Sequence, residues 1–474
     1  MLTSQICEKV TASPLWAIMA DEATDRAQRE QLAIIVRYLD IVDGKHIIRE
    51  DPVRLIDVFD HLEAADAEEE IKLSGENLAR TIIEIIERCG LDKNYLIAQC
   101  YDGAAAMASD KVGVAVRLQE VAPLAHYYHC AMHGLNLATS QVNRVSVIRN
   151  AMATMETVIV FISDSAKRTV VLQRAQKKCS VQQQRLIKLC QTRFIERHVS
   201  VQRFCEQFAA IVDALRMMKT WTDGRTSSKA NMLLTAISTP EFLVGITVLK
   251  KLAALLRPVS LALQQQGADL MQTLELTRAS IDALSVLREE EAFEPLMAEA
   301  EIMGREVHQH QDVTITKPRV AARSICRPNA GDGLNDAGYY RVNVLLPAVD
   351  SVRADMEARF GSEIDRGTHH RQAFALSYLL PKKVTTATWE YISPAWKLYK
   401  KILPDVDECL AKSELKVWAA LWRRHESALP VSAAATLDCC SPTAFPIIYR
   451  LLQVEKYPTS VFKVAYLWTW LHLE

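Results

Sequence analysis

Two short apolar runs, each closed by an aspartate, constrain this chain most. Leu15 to Ala20 runs without a polar break into Asp21, and Leu96 to Tyr101 ends at Asp102-Gly103. Six residues are too few for an independent helix and too apolar for a half-exposed strand. Both runs therefore predict central strands buried on two faces. Around the first, Leu2 to Thr11 has the spacing of a short amphipathic helix, Glu22 to Glu30 is a polar turn, Gln31 to Leu39 is a second strand and Lys45 to Val58 a weaker third. Leu78, Ile82, Ile85, Ile86 and Cys89 then recur at helical spacing over 75–89, with Gly90 placed as the helix C-cap. Ala125 to His129 is a further short strand, and Cys130 to Gln141 has a helical pattern. Strand, strand, strand, helix, strand, helix predicts a mixed sheet flanked by helices.

Beyond residue 145 the periodicity changes. Met152 to Ile162, Ser200 to Trp221, Leu243 to Ala262 and Leu270 to Leu287 all carry helical spacing. The proline- and glycine-punctuated stretch 312–336 is the candidate linker, and helical patterns resume at Ala337–Phe360 and from Thr385 onward. The expected organisation is an α/β part at 1–144, an all-helical part at 145–311, the linker, and a C-terminal part at 337–474. A length of 474 residues fits two or three domains. The chain is 49% hydrophobic and 24% charged, and no run approaches the roughly 20 apolar residues of a membrane helix. With Glu8 and Lys9 early and no secretory leader expected, the expectation is an intracellular globular protein without a membrane partner or a small-molecule substrate. Eleven cysteines, with no CxxC pair and one adjacent pair at Cys439–Cys440, argue against a disulfide scaffold.

Net charge is −1, which by itself argues against a dedicated nucleic-acid module. The distribution argues the other way. Between Ser163 and Phe204 lie ten basic residues, among them Lys167, Arg168, Lys177, Lys178 and Arg193, against Asp164 and Glu196 alone, for a local +8. Such a stripe is either a solvated helix face or a phosphate-attracting surface. Within it, Arg193 beside Phe194 is a pairing that can hold phosphate and stack on an unpaired base.

Two further constellations carry possible chemistry. Asp21 and Asp102 end neighbouring strands in an α/β sheet, where strand ends meet in one crevice. Two carboxylates there can share Mg²⁺ or Mn²⁺ for phosphoryl chemistry, although aspartate also ends strands simply because it favours turns. His129, Cys130 and His133 have zinc-ligand chemistry without an evident fourth ligand. The same residues read equally as a packed thiol with a hydrogen-bonded histidine, or as a thiol–imidazole pair lacking an orienting third group.

Taken in order, these pieces resemble hAT-type transposases, and most closely the subgroup with zinc finger MYM-type proteins. Asp21-Glu22-Ala-Thr24-Asp25, Glu30-Gln31-Leu32 and Arg37-Tyr38-Leu39-Asp40 resemble that family's opening block. Tyr101-Asp102-Gly103-Ala104 with Met107, and His129-Cys130-Ala-Met-His133-Gly-Leu135-Asn136-Leu137-Ala138, resemble its next two blocks. Ser165-Ala-Lys167-Arg168, Thr192-Arg193-Phe194, Tyr339-Tyr340-Arg341 to Asp350, and Arg359-Phe360 resemble later ones. The resemblance implies a ribonuclease-H-like mixed sheet with a large helical insertion and a helical C-terminal region. It implies Asp21 and Asp102 as catalytic and metal-binding carboxylates, with Mg²⁺ or Mn²⁺ as cofactor if the protein is active. Cys130 and His133 match the family's cysteine–histidine pair, and Lys167, Arg168, Lys177, Lys178, Arg193 and Phe194 become DNA-contact candidates. DNA, and a second copy or another protein bound through the C-terminal region, are the implied partners, and the nucleus the implied compartment.

Two departures stand out. The chain opens near the first catalytic strand without the zinc-coordinating finger such transposases carry. Tyr457-Pro458-Thr459-Ser460 resembles the approach to the family's third carboxylate, but the chain passes to Phe462-Lys463-Val464 with no matching acid. Three functions follow: a transposase-derived protein without cleavage, an active metal-dependent nuclease or transposase whose third acid is Glu408, Glu414 or Glu426, or an interaction module. The last draws on a C-terminal region rich in aromatics, namely Trp389, Tyr391, Trp396, Trp418, Trp422, Trp468 and Trp470.

Overall fold

A computed structural model describes residues 2–25, 27–63, 73–189, 194–264, 270–309, 311, 313–318, 334–361, 375–402, 407–425, 430, 433–440, 443–445, 447–449 and 452. The chain divides into two compact units. The first takes in 1–134, 262–274 and 362–474, and the second 135–261 and 275–361.

The first unit is built on a five-stranded mixed sheet in the order β3-β2-β1-β4-β5. Helix α1 (Leu2–Ala12) leads into β1 (Trp16–Thr24), β2 (Glu30–Val42) and β3 (Lys45–Asp57), which pair antiparallel as a meander. Helices α2 (Val58–Glu63) and α3 (Gly75–Arg88) return the chain to β4 (Leu96–Tyr101), which lies parallel to β1. Helices α4 (Ala105–Ala108) and α5 (Val114–Val121) precede β5 (His126–His129), parallel to β4, and α6 (Ala131–Ser140) follows it. The α3 boundaries follow from local chemistry. Ser74 accepts the Asn77 amide at the N-terminus, and Gly90 at φ +66 closes the C-terminus. The Leu91 and Gly90 amides then reach the Ile86 and Glu87 carbonyls, so a residue that tolerates the left-handed conformation ends the helix.

Period-two alternation assigns the two sheet faces. Ile18, Ala20, Leu32, Ile34, Val36 and Tyr38 join Leu78, Ile82, Ile86 and Leu118 in one core. On the opposite face, Leu15, Leu39 and Ile97 pack with Leu376, Trp396, Tyr399, Trp418 and Trp422 from the C-terminal segments. Trp418 and Trp422 sit on the helix Glu408–Arg423, and both are buried. The described tryptophans are thus mainly core. Tyr391 is exposed and stacks on Tyr378, while Trp468 and Trp470 lie outside the described residues.

Three expectations are corrected. Asp21 does not end its strand: β1 runs on to Thr24 because β2 continues pairing as far as Thr24↔Glu30, which shortens the expected turn to a tight one. Ser200–Trp221 is not one helix but two, α9 (Phe194–Glu206) and α10 (Phe208–Lys219), since Gln207 leaves helical geometry at φ −96, ψ 3. The basic stripe is only partly helical: α7 (Ser146–Ser163) and α8 (Ala166–Lys178) are followed by an irregular segment through 189.

The second unit is all-helical, as its periodicity predicted. Its helix α7 has the length and hydropathy to cross a membrane, yet Ile148, Met155, Val158, Ile159 and Ile162 are fully buried, which is the behaviour of a core helix. A five-stranded mixed sheet accompanied by a large helical region is therefore the fold class of this chain.

Candidate functional site

The parallel strands β1, β4 and β5 present their C-terminal ends at one sheet edge, and this is where the acidic and histidine-containing motifs meet. The β1–β4 pairing stops at Met19↔Cys100, whereas β1 goes on bonding to β2. Asp21 therefore lies two residues past the last β4 pairing, on a stretch of β1 open on the β4 side. It shares a face with Ala17 and Met19, where Ala17, Ala98 and Tyr128 form a small buried cluster. Asp21 itself is half-buried.

Asp102 follows β4 directly. Its Oδ1 accepts the Ala104 amide at 3.0 Å, which turns the chain sharply, and its carbonyl accepts the Tyr127 hydroxyl at 2.9 Å. Gly103 is required next. A Cβ there would lie 3.0 Å from His129 Nε2, so the imidazole packs directly on the loop that carries Asp102.

His129 ends β5, and its ring centroid lies 5.4 Å from that of His133 in the first turn of α6. Between them Cys130 is fully buried. It sits beside the Cys100 thiol and the backbone amides of His133 and Met132 at the start of α6. The bond from Cys100 is the main reason the Cys130 thiol is pushed below its ordinary value, against the opposing effect of burial. Asp21 is close enough for its charge to be felt there too, which ties β1 to β5 electrostatically. All nine described cysteines are free thiols.

Sequence reasoning passed over Glu22. It follows Asp21 and points to the opposite face of β1. Its Oε1 is buried and accepts no hydrogen bond among the described residues. Burial, followed by the charges of Glu30 and Asp102, pushes its carboxyl up to about 7. The signal was available in the adjacent Asp-Glu pair, but only the hairpin shows that Glu30 returns beside it.

The structure thus brings Asp21, Asp102, Cys130 and His133 to one edge. The basic candidates belong to the helical unit: Lys167, Arg168, Lys177 and Lys178 lie on α8. Arg193 and the Phe194 side chain lie outside the described residues. Among the described residues, no group of three or more histidine, cysteine, aspartate or glutamate side chains could hold a metal ion. Two of the substitute acids are engaged elsewhere. Glu414 is buried and accepts the Ile447 and Ile448 amides at 3.3 and 2.8 Å, while Glu408 accepts Trp389 Nε1 and pairs with Lys412. Glu426 lies outside the described residues.

Residues 2–113, which include β1 to β4 and both aspartates, match the family described as DUF4371, the ZMYM1/FAM200 RNase-like domain. The chain is also similar to the 52 kDa repressor of the inhibitor of the protein kinase. Identity is 24% over 474 residues in the human protein and 24% over 482 residues in the mouse one. Each alignment takes in 96% of this chain and 58% of the relative, so the chain spans under two thirds of the length of these proteins. The similarity is thus to an RNase-like domain family and to a repressor.

Proposed function

We propose that this chain is a transposase-derived, nuclear protein of hAT ancestry that retains DNA binding and protein dimerisation but is impaired in strand cleavage. The observation that carries the reading is the two-carboxylate edge. Asp21 and Asp102 occupy adjacent parallel strands where a phosphoryl-transfer site would be built, while Glu408 and Glu414 are committed to structural bonds. The donors present are hard carboxylate oxygens, those of the half-buried Asp21 and of Asp102, a pair suited to Mg²⁺ or Mn²⁺. Asp21 and Asp102 would hold the ion, which when bound supplies Lewis-acid polarisation of a phosphoryl oxygen or water. The chain's own residues orient this edge: Gly103 lets His129 pack on the Asp102 loop, and Cys130 anchors α6 beside it. Similarity to a repressor supports a regulatory role for such a protein.

The test is a strand-cleavage assay on duplex DNA in Mg²⁺ or Mn²⁺, with isothermal titration of Mn²⁺ alongside. The expected result is Mn²⁺ binding that weakens at least tenfold in Asp21→Ala, and no metal-dependent cleavage. Metal-dependent cleavage by the native chain that disappears in Asp21→Ala would refute the loss of activity.

A further inference from the structure

The basic residues of the stripe separate, in the helical unit, into cations already in use and cations left over. Lys178 pairs with Asp213 at 2.6 Å and Lys188 with Asp164 at 3.1 Å. Arg168 lies over the Phe161 ring and donates to its carbonyl. Those three neutralise or cap neighbouring groups of their own fold. Arg174, Lys177 and Arg185 are exposed, and among the described residues no acid pairs with them. Lys167 is exposed as well, its ammonium 4.2 Å from the Trp221 ring centre.

The leftover cations share a surface. Positions 167, 170, 174 and 177 follow helical spacing, so Lys167, Arg174 and Lys177 stand in one row along α8, with Val170 between them. At about 1.5 Å rise per residue the row spans about 15 Å. Val171, Leu172 and Ala175 on the opposite side are buried, which holds the row outward. Arg185 lies on the irregular segment that follows α8, which a buried glutamine clamp fastens to that helix. Gln176 Nε2 donates to the Gln184 carbonyl and to Gln207 Oε1, both at 2.8 Å, and Gln207 Nε2 donates to the Gln182 carbonyl at 2.8 Å. Both glutamines are 1% exposed. The irregular segment after α8 is thereby fastened beside it instead of trailing free, and such a clamp is what a fixed charged surface requires.

We propose that Lys167, Arg174, Lys177 and Arg185 form a sequence-independent binding surface for the phosphate backbone of duplex DNA. The row presents charge without an exposed aromatic among its members, and Trp221 is itself capped by Lys167. That favours backbone binding on a duplex over base stacking on a single strand. The inference deepens the DNA-binding part of the reading above and rests on it, but it does not require Asp21 or Asp102.

The experiment measures fluorescence anisotropy of the full chain on two 30-base-pair duplexes of unrelated sequence, in EDTA, from 50 to 200 mM salt. Both duplexes should bind alike. The variant Arg174→Gln/Lys177→Gln/Arg185→Gln should lower the magnitude of the salt slope by about 2.7, at about 0.9 for each phosphate that is no longer neutralised. Lys178→Gln, which removes a lysine spent on Asp213, should leave that slope unchanged. Circular dichroism checks that the variants fold. Because the exchanges are exposed glutamines, an alternative triple alanine variant reads the same slope should one set fold poorly. An unchanged slope in a folded triple variant, tighter binding to a single-stranded oligonucleotide, or no duplex binding at 50 mM salt would each overturn the proposal. Loss of duplex binding by this surface with Mn²⁺ binding intact would leave the acidic-edge reading standing.

Discussion

Replacing Glu50 with Gln should destabilise the first unit far more than an ordinary charge deletion. Arg37 on β2 and Glu50 on β3 are direct cross-strand partners, with Nη1 and Oε1 2.6 Å apart. Their side chains are 3% and 2% exposed. They lie on the sheet face that carries Ala17 and Asp21, with Ala17 directly opposite Arg37. Burial drags the Arg37 guanidinium below its ordinary value, and the Glu50 carboxylate opposes that pull. Removing the carboxylate leaves a cation in the interior, and breaking a buried pair in this way costs about 3–5 kcal/mol. At about 2–4 °C per kcal/mol for a unit of this size, the unfolding midpoint falls by roughly 6–20 °C. Arg37→Met should lose a similar amount by leaving Glu50 buried. The double variant Arg37→Met/Glu50→Leu has no stranded charge and should recover most of the loss, as buried pairs replaced by apolar residues often do. Thermal melts followed by circular dichroism complete the double-mutant cycle. Single variants that each lose less than about 1 kcal/mol would mark the pair as solvent-screened and refute the argument. So would a double variant no better than either single one.

Further outcomes follow from the same packing. Gly75→Ala would place a Cβ 2.3 Å from the Val112 carbonyl oxygen and 2.6 Å from that of Ala106, so the α3 start must shift, and a loss of about 1–3 kcal/mol is expected by chemical denaturation. Gly224→Ala, with nothing within 4 Å, should be neutral or slightly stabilising, and equal losses in the two variants would contradict the close approach. Glu22 has a folded-state pKa of about 7 against an ordinary value of 4.5. Its contribution to stability is therefore fully present below about pH 4.5 and is lost as pH rises through 7. In metal-free buffer Glu22→Gln should gain in midpoint relative to the native chain between pH 5 and pH 8; parallel pH profiles would show that Glu22 is not the titrating group.

Local sequence patterns were enough to place most elements near the edge that matters. Leu96–Tyr101 reads directly as a strand because a short apolar run buried on both faces has few other uses. Gly90 reads as a helix stop because its conformation is costly for other residues. Boundaries set by partners were harder to read. The polar Glu22–Thr24 end of β1 has no local reason to be a strand, and its ladder comes from β2. The break at Gln207 was hidden inside an unbroken helical pattern, because the clamp with Gln176 and Gln184 forms only when three segments fold together.

The amino-acid order alone therefore determined which residue types could do chemistry here: two aspartates after apolar runs, a cysteine–histidine turn and a local run of positive charge. The tertiary structure decided which of them are available. Asp21 lies past the last β4 pairing because β4 stops before β1 does, and Cys130 is buried beside Cys100 at the start of α6. Lys178 and Lys188 are spent on Asp213 and Asp164, while Arg174, Lys177 and Arg185 remain outward. Charge and hydrogen-bonding capacity belong to a residue type and can be read one position at a time. Whether that capacity is already satisfied depends on neighbours that are distant in sequence, and only the fold brings them together.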